Sequence, residues 1–496
     1  MLYPPKKLRL YLLPSCLFVF YFFIGFILPY MHDDWAWGSQ IGLDRLATSF
    51  VNYNGRWAGN LLVLAITRSV LLRAFVYAIS FTSIAVFGAR LAGGGQGAFA
   101  LFALLLLAIP RGQAASVVAW TSGFANYAAS MALVTPLLCY IWQLLSPKKD
   151  APQSDNFPRC AIAALGIFAA SLFIEHVTLM LLGLLLLCLA RHLMLHKKPA
   201  LPLLLLLAAV IGAAVLMFTN GAYSVEAITD PNHYQKVALN SPGTMLGAAA
   251  RQYMQSVAPL LLLSNTPLAL LLGCGAGMVA LMKSRRAKKR ARFAFLACAF
   301  VLFAGAAYAL FRDELPTPGN DKRSLSAVTF AFFIALAGVL LLCGSLRKRG
   351  AFLLAAGLGM TAPLLLASPI GHRNFFAIHI VWIVLATFLY CYIGQQIRAR
   401  ISLRHAELLL RWARSAAIFG IAFAASCYIF VYGSLALAAR RQIDRVHSEI
   451  AAGASVVQLE QLPFNEWAWN AYPANDLFAE RFKLFYKIPE NIEIRY

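Results

Sequence analysis

Apolar runs long enough to cross a membrane recur along this chain almost to residue 437, and no other feature constrains its fold as much. A backbone placed in hydrocarbon must satisfy its N–H and C=O groups internally, so each run is either a helix or a strand of a closed barrel. Barrel strands show as segments of about ten residues alternating in polarity. The runs here are continuous and rich in Leu and Ala, which predicts helices. With 60% hydrophobic and 13% charged residues among 496, the chain has too little polar surface to cover a soluble core. The expected class is an all-α polytopic membrane protein.

The net charge of +23 invites a nucleic-acid reading, but its placement argues against one. Lys and Arg fall in short clusters between apolar runs, as topology signals do, without the polar and aromatic residues of a binding face. No nucleic-acid partner is expected. The nine cysteines lie inside apolar runs with no CxxC pair, so neither a zinc cage nor a disulfide framework is suggested. Lys6, Lys7 and Arg9 precede an apolar stretch with no small-residue cleavage site, which predicts an uncleaved first span rather than a signal peptide.

A cytoplasmic N-terminus and a first span over 10–30 place residues 31–70 outside. Their mixed polarity predicts interfacial helices in this first outer loop. Further spans are expected near 71–92, 98–110 and 124–145, with residues 111–123 as an outer loop. Residues 160–190 fit either one tilted helix or two short spans meeting at Glu175-His176. Two spans keep that acid away from mid-membrane and leave the seven Lys/Arg of 283–292 inside. The rest fall near 200–218, 258–282, 293–311, 324–345, 351–368, 375–395 and 415–437, giving about thirteen crossings and a small extracytoplasmic tail, 438–496. In this arrangement only Asp150, Asp155 and Glu407 of the acids lie inside.

The sharpest chemical feature is His32-Asp33-Asp34-Trp35-Ala36-Trp37, just past the first span. Adjacent carboxylates repel, which raises one pKa and suits it to accept a proton, while Trp35 and Trp37 offer faces to a sugar or a polyprenyl chain. The plain alternative is an aromatic belt with solvated, helix-capping acids. Arg56, in Asn54-Gly55-Arg56, matches phosphate oxygens bidentately; its alternative is a snorkelling side chain. Glu175 and His176 sit in the same outer layer, where Glu175 either serves substrate or pairs with an arginine. The outer loop 219–257 adds Asp230, His233, Tyr234 and Arg251, and a charged hairpin holds Arg312, Asp313, Glu314 and Asp321. His372 and Arg373 lie at the mouth of a later span, with Arg373 the second choice for phosphate. Walker, HExxH and GxSxG motifs are absent. Charges inside the spans are nearly lacking apart from Glu175, which counts against an ion-coupled transporter.

The acidic pair after the first span, Asn54-Gly55-Arg56 with Gly59-Asn60, Trp120-Thr121-Ser122-Gly123-Phe124-Ala125-Asn126-Tyr127 and Glu175-His176 together resemble the GT-C superfamily of polytopic glycosyltransferases. The branch they are most similar to is the bacterial glucosyltransferase-II-like group that modifies surface polysaccharides. The resemblance extends in outline over residues 8–437. It implies a polyprenyl-phosphate-linked sugar donor, a glycan or lipid-linked acceptor, and inverting transfer on the outer face of the bacterial inner membrane. Asp33 or Asp34 would be the base, with Asp34 slightly favoured. Arg56, Arg373, Arg251 and His372 would hold the donor phosphate. Trp35, Trp37, Asn54, Asn60, Trp120, Asn126, Tyr127, Glu175 and His176 would line the substrate site. Some members bind a divalent metal at this loop and others do not; no metal or other cofactor is expected here. The tail, with Trp467, Trp469, Tyr472 and Phe478, either grips the acceptor or caps the outer loops. A flippase or exporter of a lipid-linked saccharide, and a glycan polymerase or ligase, remain the competing functions.

Overall fold

The computed structural model describes residues 6–51, 53–146, 157–224, 227–228, 236–237, 242–311, 322–473 and 475–496. Asp230, His233, Tyr234, Arg312, Asp313, Glu314, Asp321, Lys148, Lys149, Asp150 and Asp155 lie outside these residues.

The chain is almost wholly helical: α1 Lys6–Ile27, α2 Asp33–Gly38, α3 Gln40–Ala47, α4 Trp57–Ile66, α5 Val70–Ala92, α6 Gln96–Leu107, α7 Arg111–Ala119, α8 Thr121–Leu145, α9 Phe157–Ser171 and α10 Glu175–His196. There follow α11 Leu201–Phe218, α12 Pro242–Gln252, α13 Thr266–Ser284, α14 Lys289–Phe311, α15 Lys322–Leu342, α16 Gly344–Thr361, α17 Phe376–Arg398, α18 Leu403–Ala451 and α19 Asp476–Tyr486. Two short ladders complete it. β1 (Lys236–Val237) pairs antiparallel with β2 (Ala367–Ser368), and β3 (Val456–Gln458) pairs parallel with β4 (Glu493–Arg495). Among the described residues nine helices are long and apolar enough to span a membrane, or ten if α6 and α7 count as one broken span. Shorter apolar helices occupy Tyr11–Ile27, Trp57–Ile66 and Phe157–Ser171.

Local chemistry sets the breaks. Side chains of Ser69, Asn265, Ser402 and Asn475 accept from backbone N–H groups at the starts of α5, α13, α18 and α19, each cap contributing about 1 kcal/mol. Between α5 and α6 the chain turns through Gly93, Gly94 and Gly95 at φ of 138°, 76° and 90°, a conformation open to residues without a Cβ. Near Pro110 the chain bends by 80°, and α7 runs on among buried neighbours. The expected outer loop 111–123 is therefore largely helical, because Ala114–Ala119 is apolar enough to be buried. The chain also breaks between α9 and α10, so that Glu175 opens a helix instead of sitting within one.

α17 is the hub of the bundle, with 83% of its apolar window buried, whereas α18 is peripheral at 17%. At 49 residues and ~1.5 Å rise per residue, α18 is about 74 Å long, far more than the ~30 Å hydrocarbon core. It passes position 437 without a break and carries the tail away from the bundle. The tail then returns: α19 packs on α2, and β3 and β4 tie its two ends together.

Candidate functional site

The starts of α5, α8 and α17 lie at one end of the bundle, and the first loop and the tail meet there. After α1 the backbone turns sharply at His32 (φ 52°) and enters α2, which aims the two adjacent carboxylates in different directions.

Asp34 points inward. Its Oδ1 accepts from the Ser122 N–H at 2.8 Å and the Ser122 hydroxyl at 2.5 Å, and its Oδ2 from the N–H groups of Thr121 and Met31, both at 3.2 Å. It is fully buried and closes the N-terminus of α8, where unpaired N–H groups and the helix dipole favour an anion. Burial pushes its carboxyl up to about 6, against the hydrogen bonds from Ser122 and Met31 and the nearby Arg73 charge. Arg73, buried, donates to the carbonyls of Gly25 (2.8 Å) and Leu28 (2.7 Å), clasping the end of α1. With Arg90 it is one of two arginines within α5, both inside the expected span 71–92, so the near absence of charge in the spans has exceptions besides Glu175. The signal was a lone arginine near the start of an apolar run.

Asp33 points outward, with 24% of its side chain accessible. Arg481 Nη1 lies 3.1 Å from its Oδ1 and His32 Nδ1 3.3 Å from its Oδ2. Partial burial raises its carboxyl, but the hydrogen bond from His32 and the charges of His32, Arg481 and Arg45 outweigh this and leave it below the ordinary range. Aromatic rings surround it. His32 lies 4.2 Å from the Phe478 ring and 5.8 Å from Trp120; Trp120 stacks on Trp469 at 5.6 Å. The Arg373 guanidinium sits 5.3 Å and 5.2 Å from those two indoles. The Asp33 charge also reaches Tyr53, whose phenol is raised by burial and by Asp33, against Arg45, Arg56 and Arg481. Arg45 lies over the Trp37 and Tyr53 rings, at 4.8 Å and 4.3 Å.

Beside this cluster, Arg56 forks onto Glu175 through Nε and Nη2, both at 2.9 Å, and the Tyr223 hydroxyl donates to the same carboxylate. Asn54 Oδ1 accepts from the Arg56 N–H at 3.1 Å and from Asn60 Nδ2 at 3.0 Å, fixing the turn that aims Arg56. A Cβ on Gly55 would lie 2.1 Å from the Met217 carbonyl oxygen, so this approach requires glycine. Tyr127 meets Asn374 at 3.5 Å, and Asn126 donates to the Ser122 carbonyl at 2.9 Å.

The remaining expected residues divide. Trp35 and Trp37 are buried as packing: Trp35 donates to the Tyr30 carbonyl and meets Phe482 edge-on, and Trp37 faces Phe50 and Tyr53. His176 is buried, and the His372 ring lies against Gly112. Arg251 is exposed on α12 and forms no ion pair among the described residues. Trp469 belongs to the tail group expected to grip an acceptor or cap the outer loops, whereas Arg481 and Arg45 were missed as site residues; Arg481 lies in the tail, with no local signal linking it to residue 33.

Several polar atoms in this layer are buried with no protein partner: Trp120 Nε1, Trp469 Nε1, Asn126 Oδ1, His176 Nε2 and Arg45 Nη1. Buried polar groups are nearly always paired, so the N–H donors of the stacked Trp120 and Trp469 indoles, beside Asp33 and Arg373, suit an oxygen-rich ligand. The residues fit a metal poorly. Both Asp34 oxygens are occupied by donors, and Asp33 faces the Arg481 cation. Among the described residues no three His, Cys, Asp or Glu come together as ligands.

No family model matches the chain, and no curated protein or solved structure matches it either.

Proposed function

We propose that this protein is a membrane glycosyltransferase that moves a sugar from a polyprenyl-phosphate-linked donor to a hydroxyl of a surface glycan or lipid-linked acceptor. The observation that carries this reading is the accessible Asp33 carboxylate, set among aromatic faces, cations and unpartnered polar atoms at one end of an apolar bundle. In this reading that end is the outer face of a bacterial inner membrane. The chain crosses thirteen times with its N-terminus inside, counting α1, α9, α16 and the broken α6–α7 pair as crossings, and the tail lies outside.

Asp33 is the better base, because an acceptor hydroxyl can reach it, whereas the Asp34 oxygens are committed to the α8 N-terminus. Held ionised by its neighbours, Asp33 takes the hydroxyl proton as the oxygen attacks C1 of the sugar. The bond from C1 to the phosphate oxygen breaks on the opposite face, giving inversion, and polyprenyl phosphate departs. Arg373 and Arg45 are the cations placed to receive the phosphate charge. The Arg56–Glu175 pair acts as a brace for the first loop. Trp469, half-buried and stacked on the buried Trp120, supplies the stacking face, and the two indoles supply N–H donors for the sugar.

The test is transfer of labelled sugar from membrane lipid to surface glycan in cells carrying Asp33→Asn or Asp34→Asn at matched protein level. Loss of transfer with labelled lipid accumulating supports a transferase. Unaltered transfer in both variants favours the flippase or exporter reading, in which the acids only shape the fold.

A further inference from the structure

The opposite end of the same helices holds a cationic cavity. α17 runs from Phe376, beside the Asp33 layer, to Gln395, a rise of about 30 Å at ~1.5 Å per residue. There the last turns of α5, α8 and α17 and the start of α16 enclose a cavity of about 390 Å³, within the ~300–1,000 Å³ typical of small-ligand sites. Its mouth carries exposed Ser345, Lys348 and Gln395, and its wall carries Arg349.

Arg349 does not behave as a topology signal alone. Its neighbour Arg347 is exposed, as a solvated basic residue should be. The Arg349 guanidinium instead turns inward between Trp142 and Phe388, 5.1 Å and 5.2 Å from the two rings. Its Nε is buried with no partner. Lys283 adds a further cation nearby, 5.6 Å from the Tyr392 ring that also lines the cavity. Among the described residues no carboxylate pairs with Arg349, Lys348 or Lys283, and the ion pairs found there lie on other elements. Inward-facing charge with an unpaired donor and no counter-ion is costly unless an anion completes it.

We infer that this cavity binds a phosphate-bearing anion, with Arg349 giving a directional N–H donor between its two aromatic walls and Lys348 closing the mouth as a mobile charge. The same chemistry is offered by the head group of an acidic phospholipid in the adjoining leaflet and by a soluble phosphate ester.

Binding would be measured on the purified full-length protein in detergent, by native mass spectrometry with phosphatidylglycerol or phosphatidylcholine and by calorimetry with glycerol 3-phosphate. Phosphatidylglycerol should be retained in preference to phosphatidylcholine. Lys348→Gln should weaken that retention about fivefold, and Lys348→Gln/Arg349→Gln about thirtyfold, from the worth of one basic side chain at an anionic head group. Displacement by millimolar glycerol 3-phosphate, with the same dependence on the variants, assigns a soluble ester; retention in its presence assigns the lipid. Should the double variant fail to fold, the exposed Lys348→Gln still decides. Equal binding of every probe by wild type and Lys348→Gln overturns the inference.

Discussion

Replacing Arg56 with Gln tests how the first outer loop is braced. The guanidinium donates to both oxygens of Glu175 at 2.9 Å, and the two side chains keep only 16% and 21% exposure. A surface ion pair contributes ~0–1 kcal/mol, while stranding one partner of a fully buried pair costs ~3–5 kcal/mol. This degree of burial places Arg56→Gln and Glu175→Gln at about 2–3 kcal/mol each. In the double variant two neutral amides face each other, so its loss should be about 2 kcal/mol, well short of the sum, with a coupling energy of about 2–4 kcal/mol. Arg56→Lys should recover less than half of that, because an ammonium cannot fork onto a carboxylate. The assay is thermal unfolding of the detergent-solubilised protein by tryptophan fluorescence, compared at one temperature. Losses that add to within ~0.5 kcal/mol would refute the brace. So would single variants of wild-type stability with a raised donor KM, which would return Arg56 to the donor phosphate.

The Asp34 carboxyl, raised to about 6, makes stability depend on pH. A folded pKa above the unfolded value of 3.8 means that this group's stabilising effect is lost as pH rises through 6. Lowering pH from 7 to 5 should therefore stabilise wild type by about 1.3 kcal/mol relative to Asp34→Asn, and parallel pH profiles of melting temperature would contradict this. Arg481→Gln removes a charge that holds Asp33 down, so the acidic limb of the pH–rate profile should move to higher pH; an unmoved limb argues against Asp33 as the titrating base. Gly55→Ala brings a Cβ to 2.1 Å from the Met217 carbonyl and should lower the melting temperature through a backbone clash; an unchanged melting temperature would show that the α4 and α11 ends can separate.

Much of the site's first loop was readable because its residues are neighbours in sequence. Asp33 and Asp34 draw attention as an adjacent pair, and Asn54, Arg56 and Asn60 as a polar island before an apolar helix. What their adjacency hides is direction. Adjacent positions on a helix point about 100° apart, so one carboxylate goes to solvent and one to the α8 N-terminus, and residue types cannot say which. Trp35 and Trp37 read as open stacking faces, because Phe482, which meets Trp35, lies in the distant α19, and Phe50 and Tyr53 return onto Trp37 only through the turn after α3. The Arg481–Asp33 contact joins residues 448 positions apart and leaves no periodicity to detect. The fold class followed from the apolar runs. The bend at Pro110 did not, since a run bent by 80° and one that crosses straight have the same composition.

Sugar transfer by purified protein from a synthetic polyprenyl-phosphate sugar, with donor binding measured in parallel for wild type and Asp33→Asn, tests the central claim most directly. The expected result is transfer reduced by at least about a hundredfold in the variant, the scale of a lost general base, with donor affinity within about threefold of wild type. Transfer at the wild-type rate, or no transfer by the wild-type protein while it still moves the lipid-linked sugar across vesicles, would contradict it.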